Sequence, residues 1–128
     1  AYDRQGAYTQ SKLANLLFAY ELQRRLETAG ADTLSTAAHP GWTATNLQSH
    51  FTLGRLLNPI IAMKPEMGAL PTLRAATATD VQGGDYYGPG GWQGMRGFPQ
   101  KEQSSERSYD RDLAARLWTI SEELTGVQ

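Results

Sequence analysis

Apolar residues recur at helical spacing near the start of the chain. Four of them lie at positions i, i+3, i+4 and i+7, which places them on one face of a helix: Leu13, Leu16, Leu17 and Tyr20. This pattern predicts a helix over residues 7–27, with Gly30 as the stop. Because further apolar residues widen that face, we expect neighbouring structure to cover the helix on two sides.

The rest of the chain alternates between short extended runs and helical patterns. Small and β-branched residues predict a buried strand over 33–38. An apolar, helix-like stretch over 43–63 is interrupted at Asn58-Pro59. Further helices are predicted over 64–77 and 110–124, a short strand over 85–88, and an irregular Gly- and Pro-rich loop over 88–108. This order of elements predicts an α/β architecture.

Two short strands are too few for a complete parallel sheet. Parallel strands keep unpaired backbone groups on both sides unless further strands surround them. The chain also lacks an initiator Met, and its helical pattern starts within the first residues. We therefore expect residues 1–128 to be the later half of one domain in a longer polypeptide.

Composition excludes several classes of protein. The net charge is -1 and no basic stripe is present, which disfavours nucleic-acid binding. No cysteine is present, so disulfides and thiolate metal sites are excluded. No apolar run approaches the roughly 18–20 residues of a membrane helix, and no signal peptide is visible. We expect a cytoplasmic globular protein without a bound metal.

Tyr8 and Lys12 are the strongest candidates for chemistry. Side chains four residues apart share one face of a helix. A neighbouring ammonium favours the phenolate form of a tyrosine, and such a phenol can exchange a proton with an alcohol or a carbonyl oxygen. The spacing alone also fits an ordinary polar pair on a helix surface, so structural context has to decide between the two interpretations.

A second motif follows the predicted strand, in the segment "HPGWTATNL". Pro40 restricts His39 to extended geometry, and Gly41 permits a tight turn. Together, "YTQSK", "HPGWTATNL", "KPEMGALPTLRAAT" and "GGDYYG" resemble, in order, the second half of the short-chain dehydrogenase/reductase family. The resemblance is to its retinol-dehydrogenase-like branch. It implies the C-terminal part of a Rossmann-type, doubly wound parallel sheet.

The resemblance also implies roles for individual residues. Tyr8 would be the catalytic acid/base, and Lys12 would stabilise its phenolate and hold the nicotinamide ribose. Pro40 and Gly41 would shape the turn beside the nicotinamide. The backbone of Thr43 and the hydroxyl of Thr45 would hold the carboxamide. The implied cofactor is NADP or NAD, with NADP favoured, and the implied substrate is an alcohol or ketone.

The resemblance has gaps. The family's Gly-rich phosphate loop and its active-site serine and asparagine would precede Ala1, so the missing N-terminal half of the domain is an expected partner. A homo-oligomer is also implied. The alternative is a truncated, non-catalytic relative or interaction module that keeps half of the fold. The segment 47–63 reads equally as a lid over a lipophilic substrate or as core packing.

His39 and His50 are weaker candidates. Neither has a carboxylate at the spacing of a metal site, so we expect no metal here. For His39 we favour a structural role in the turn over a contact with cofactor or substrate.

Overall fold

The computed structural model describes residues 2–41, 63–91 and 94–127, and its backbone divides into two units. The first unit comprises Ala1–Thr36, Gln82–Gly84 and Ser104–Gln128, and the second comprises Ala37–Val81 and Asp85–Gln103. Along the chain, the elements are α1 (Arg4–Thr28), β1 (Ala37–Ala38), α2 (Pro65–Thr77), β2 (Tyr86–Gly91), β3 (Arg96–Lys101), a 3-10 helix (Glu106–Tyr109) and α3 (Arg111–Thr125).

Two packed helices, α1 and α3, form most of the first unit. The apolar stripe predicted on α1 is confirmed as its inner face, because Leu17 and Tyr20 are buried. Phe18, beside the stripe, stacks on Trp118 of α3 with ring centroids 5.2 Å apart and remains 45% exposed. The helix therefore buries one face within this unit and leaves part of its wider apolar surface accessible.

The predicted C-terminal helix is confirmed to within a residue at each end. The Asp110 side chain caps α3 by accepting a hydrogen bond from the Leu113 N–H at 2.9 Å. Gly126 ends the helix in the left-handed conformation at φ 70°, and its N–H donates to the Glu122 carbonyl. Both ends carry the residues that sequence rules expect there.

A three-stranded sheet in the order β1-β2-β3 forms the second unit, with α2 packed against it. β1 pairs with β2 in parallel, and β2 pairs with β3 in antiparallel orientation. Tyr87, Pro89 and Pro71 are its largest fully buried side chains. The α/β class is confirmed, and the antiparallel β3 makes this part of the sheet mixed.

The predicted irregular loop over 88–108 is wrong, because β2 continues to Gly91 and β3 follows. Pro89 and Pro99 lie directly opposite each other. Opposed residues of an antiparallel ladder alternate between hydrogen-bonded and non-hydrogen-bonded pairs. The Glu102 N–H donates to the Tyr86 carbonyl, so counting along the ladder makes the two prolines a non-bonded pair. Neither proline therefore removes a hydrogen bond from the ladder between β2 and β3, so this strand pair tolerates both.

The predicted strand over 33–38 is shorter than expected. Only Ala37–Ala38 is a strand, because the Ser35 N–H donates to the Gln23 side chain at 2.8 Å and so bonds to α1. Most of the predicted apolar stretch over 43–63 lies outside the described residues. Within the described part of the chain, no helix is both long enough and apolar enough to cross a membrane.

Candidate active site

Asp3 sets where α1 begins. Its carboxylate oxygens accept hydrogen bonds from the Gln5 and Gly6 N–H groups, both at 3.1 Å. These bonds satisfy donors that have no partner within the helix. A Cβ at Gly6 would lie 2.5 Å from the nearer carboxylate oxygen of Asp3, so glycine leaves room for the cap. The cap fixes the helix start, and thereby its register, one turn ahead of Tyr8.

Tyr8 and Lys12 lie together on the first turns of α1. The Lys12 Nζ lies 5.4 Å from the centroid of the Tyr8 ring, within cation–π range. The Tyr8 side chain is 44% exposed, so its phenol is accessible to a ligand. The Ser11 hydroxyl donates to the Tyr8 carbonyl at 2.7 Å, which orients the small residue between them back along the helix. An exposed tyrosine and a lysine ammonium thus lie together on one face of the helix.

A cavity of about 590 Å³ lies along a different face of the same helix. Gln5, Thr9 and Leu13 of α1 line it, together with Arg107 of the 3-10 helix. Tyr8 and Lys12 are not among its lining residues. This cavity therefore does not lie at the candidate acid/base pair. The pair is a candidate because of the distance from Lys12 Nζ to the Tyr8 ring and the exposure of Tyr8.

The later turns of α1 are held by a buried carboxylate. Glu21 accepts hydrogen bonds from Arg24 at 2.7 Å and from Arg25 at 2.9 Å. Burial opposes ionisation of this group, but the hydrogen bonds and charges of the two arginines outweigh it, so the pKa of Glu21 lies below its ordinary value. The Arg25 guanidinium also lies 4.4 Å from the Trp118 ring centroid, which ties α1 to α3.

Pro40 and Gly41, where the sequence predicts a turn, follow the end of β1 in the second unit. Gly41 has φ 64°, in the left-handed region that side chains with a Cβ rarely adopt. A Cβ there would lie 2.5 Å from Pro89 Cγ and 2.7 Å from the Met95 carbonyl oxygen. Glycine is thus required at this position both by the backbone conformation and by the space available.

His39 forms a pair with Glu102 that the sequence did not reveal. The His39 Nε2 lies 3.1 Å from Glu102 Oε2, and its Nδ1 lies 3.3 Å from the Gly41 backbone nitrogen. The imidazole also stacks on the Tyr86 ring, with centroids 5.2 Å apart. This agrees with the expected structural role of His39 in the turn. Glu102 was missed because it follows β3, in a segment that composition predicted to be an irregular loop.

A second network is buried under the other face of β2. The Tyr87 hydroxyl donates to the Asp85 carboxylate at 2.8 Å, and Asp85 also forms an ion pair with Lys101. Burial raises the pKa of Tyr87, and the hydrogen bond to Asp85 and its negative charge raise it further. Arg74 of α2 lies over the same ring, 5.5 Å from its centroid. Tyr87 is therefore held neutral as part of the core.

The structure pairs some of the candidate residues. It brings Tyr8 and Lys12 together on α1 in the first unit, and it describes Pro40 and Gly41 after the end of β1 in the second. Thr43 and Thr45 lie outside the described residues. Among residues 2–41, 63–91 and 94–127, no three potential ligand side chains cluster as a metal site would require.

Comparison with known proteins finds relatives whose names are those of dehydrogenases or reductases. Retinol dehydrogenase 14 of Mus musculus is 32% identical over 136 residues, covering 99% of this chain and 37% of the relative. The short chain dehydrogenase/reductase dpmpH of Macrophomina phaseolina (strain MS6) is 33% identical over 118 residues, covering 90% of this chain and 57% of the relative. No family model matches the chain.

A solved structure is similar over nearly the whole of this chain. The crystal structure of an uncharacterized protein from Mycobacterium Paratuberculosis is 41% identical, with a TM-score of 0.77 over 98% of this chain and 41% of that chain. The fold described here is part of a Rossmann-type α/β fold. The chain belongs to the short-chain dehydrogenase/reductase family, in its retinol-dehydrogenase-like branch, and spans about 37% of the length of the first relative.

Proposed function

We propose that this chain carries the proton-transfer part of a nicotinamide-dependent oxidoreductase that interconverts an alcohol and a carbonyl compound. The observation that carries the proposal is the Tyr8–Lys12 pair, with an exposed phenol and an ammonium 5.4 Å from its ring. Membership of a family whose relatives include named dehydrogenases supports the same reaction class.

In this proposal, Tyr8 is the acid/base. During reduction its hydroxyl donates a proton to the carbonyl oxygen, and during oxidation its phenolate accepts the proton of the alcohol. Lys12 places an ammonium on the same helix face, 5.4 Å from the centroid of the Tyr8 ring.

The donor set fits a nicotinamide cofactor, NADP or NAD. When bound, the cofactor supplies or accepts the hydride. Lys12 is exposed, and an ammonium has three donors and no acceptor, which suits the hydroxyls of a ribose. The turn at Pro40 and Gly41 would lie beside the nicotinamide, and Thr43 and Thr45 would hold its carboxamide, as the family resemblance implies.

We propose a lipophilic alcohol or ketone as the substrate. The support is the name of the relative retinol dehydrogenase 14, because retinol is an apolar alcohol. The apolar residues of segment 47–63 agree with an apolar substrate. We also propose that the complete protein is a cytoplasmic homo-oligomer. Cell fractionation and light scattering of the complete protein test these two proposals.

The test uses the complete polypeptide encoded by the gene. Oxidation of NADPH and NADH is followed with retinal and with a short water-soluble ketone as substrates. Tyr8→Phe removes only the hydroxyl, so we expect turnover to fall by about 10³-fold, within the range of general acid–base catalysis. Cofactor affinity, measured by fluorescence titration, should stay within about two-fold of wild type, less than one hydrogen bond contributes.

Tyr2→Phe is the matched control, because Tyr2 is also close to the start of α1 and is 83% exposed. This variant should keep wild-type turnover. Retained turnover in Tyr8→Phe would contradict the catalytic assignment. If the wild-type protein binds neither cofactor, the non-catalytic alternative is correct.

A further inference from the structure

We propose that His39 and Glu102 are positioning residues that hold the Pro40-Gly41 turn and thereby set the affinity for the nicotinamide cofactor. The inference rests on the proposed function, since that function places this turn beside the nicotinamide. It adds two residues and a specific hydrogen-bond chain to the candidate site.

The two residues flank the central strand of the sheet. The His39 N–H donates to the Tyr87 carbonyl at 2.9 Å, continuing the parallel ladder beyond β1. The Glu102 N–H donates to the Tyr86 carbonyl at 2.8 Å, continuing the antiparallel ladder beyond β3. Backbone hydrogen bonds to β2 thus fix both residues from opposite sides.

Gly88 lets the two side chains meet across that strand. A Cβ at Gly88 would lie 2.0 Å from His39 Nε2 and 2.7 Å from Glu102 Oε2. Gly88 is not among the residues with positive φ, so it is the absence of a side chain that matters there. The imidazole and the carboxylate therefore occupy the space that any other residue at position 88 would fill.

The contacts define the tautomer of His39. Its Nδ1 accepts from the Gly41 N–H, so in the neutral ring the hydrogen is on Nε2. Nε2 then donates to the Glu102 carboxylate, 3.1 Å away. The resulting chain runs from Glu102 through the imidazole to the Gly41 peptide. This hydrogen-bond chain fixes the orientation of the Gly41 N–H. The backbone of Gly41 is already constrained by its φ of 64°.

Loss of the Glu102 contact removes one of the contacts that orient the imidazole and leaves its stacking on Tyr86, so the acceptor of the Gly41 N–H is less firmly oriented. The turn then samples further conformations, and cofactor binding has to reorder it. We expect about ten-fold weaker cofactor binding, the size of effect that losing one or two such hydrogen bonds produces. The turnover number at saturating cofactor should change less than about two-fold, because Tyr8 and Lys12 are unaltered.

Three variants of the complete polypeptide separate this role from general destabilisation. Glu102→Leu removes the acceptor, whereas Glu102→Gln retains an amide oxygen that can accept from Nε2. Gly88→Ala keeps both residues but pushes their side-chain ends apart. Glu123→Leu is the control, because it removes an exposed carboxylate from α3.

The readouts are the cofactor Kd by fluorescence titration, the KM values for cofactor and for substrate, and the ring ¹⁵N NMR signals of His39 at about pH 8, where an ordinary histidine is neutral. We expect weaker binding and a higher cofactor KM in Glu102→Leu and Gly88→Ala, near-wild-type values in Glu102→Gln and Glu123→Leu, and an unchanged substrate KM. The His39 signals, assigned by their loss in His39→Gln, should report hydrogen on Nε2.

Hydrogen on Nδ1 in the wild-type ring would overturn the proposal, as would unchanged cofactor binding in both Glu102→Leu and Gly88→Ala. A parallel rise in both KM values with a loss of folded protein would also overturn it, because that outcome indicates a purely structural pair. If the wild-type protein binds no cofactor, the proposed function is contradicted. The proposed effect of His39 and Glu102 on cofactor affinity is then contradicted as well. If Tyr8→Phe loses turnover while the wild-type protein binds the cofactor, the proposed function stands. The cofactor affinities of the Glu102 and Gly88 variants then decide the second proposal on their own.

Discussion

The start of α1 and the turn at Gly41 hold candidate residues in opposite ways. Tyr8 and Lys12 project from a helix surface, and their placement depends on helix register and on the Asp3 cap. Gly41 is fixed by its own φ, by Pro89 and Met95 on one side, and by the hydrogen bond to His39. The first region presents reactive groups, and the second presents a backbone shape.

This difference predicts how each region responds to substitution. Changes at an exposed helix position alter chemistry and leave stability nearly unchanged. Changes at a position constrained by conformation and by packing lower stability first. Measuring stability and activity on the same variants therefore tests whether the two regions really differ.

The largest effect is expected at Gly41. Gly41→Ala places a Cβ against Pro89 and the Met95 carbonyl while forcing alanine into the left-handed region. The free energy of unfolding should fall by about 3 kcal/mol, combining the conformational cost with that of overlap. Urea denaturation followed by circular dichroism measures it.

Gly30→Ala is the control for this change. Gly30 has φ 66°, but a Cβ there meets nothing within 4 Å. Its loss of stability should be about 1 kcal/mol, the conformational cost alone. Equal losses in the two variants would show that packing does not constrain the turn and would break the comparison.

Tyr87 gives the next effect, in the sheet beside the turn. Tyr87→Phe leaves the buried Asp85 carboxylate without one donor, so stability should fall by about 2 kcal/mol at neutral pH. The folded-state pKa of Tyr87 is raised above its ordinary value of 10.0, so its contribution is present below that pH and is lost as pH rises through the folded-state pKa.

Urea denaturation at pH values on both sides of 10 checks this sign. The difference between wild type and Tyr87→Phe should shrink in alkali, because only the wild type can ionise at this position. A difference that grows with pH would contradict the assignment of Tyr87 as a neutral donor to Asp85.

Sequence patterns were informative where local rules decide the structure. The stripe around Leu17 and Tyr20, the cap at Asp110 and the stop at Gly126 each depend on neighbours within about one helical turn. Patterns of this kind are visible without tertiary information, and the predicted inner face of α1 and the predicted C-terminal helix are confirmed. The Tyr8–Lys12 spacing is equally local, which explains why it stood out.

Sequence patterns failed where partners come from distant positions. β3 was missed because Gly and Pro normally disfavour strands, and the opposition of Pro89 to Pro99, which spares the ladder between β2 and β3, depends on tertiary pairing. The His39–Glu102 contact joins residues 63 positions apart in sequence and needs the gap at Gly88. Neither feature has a local signal, so neither could be read from the sequence alone.

Glu21 tests whether the later turns of α1 are held by surrounding contacts, as Gly41 is, or tolerate substitution as the exposed start of the helix does. Glu21→Gln replaces two charge-assisted hydrogen bonds with weaker ones, so stability should fall by about 1 kcal/mol at pH 7. The folded-state pKa is lowered from 4.5, so the contribution is present above that pH and is lost as pH falls through the folded-state pKa.

The measurement is urea denaturation at neutral and acid pH, with Glu123→Gln as the exposed control. The difference between wild type and Glu21→Gln should disappear in acid, while Glu123→Gln should match wild type at neutral pH. A constant difference at every pH would mean that the shape of the Glu21 side chain matters and its charge does not.

The smallest effect on stability is expected at Tyr8. The side chain is 44% exposed and its ring contacts the Lys12 ammonium, which phenylalanine can still do. Tyr8→Phe should therefore change the free energy of unfolding by less than about 0.5 kcal/mol, against the larger loss in Tyr87→Phe. Urea denaturation of the two variants side by side measures the contrast. A loss at Tyr8 as large as that at Tyr87 would show that its hydroxyl is a structural donor, and the fall in turnover could then no longer be assigned to proton transfer.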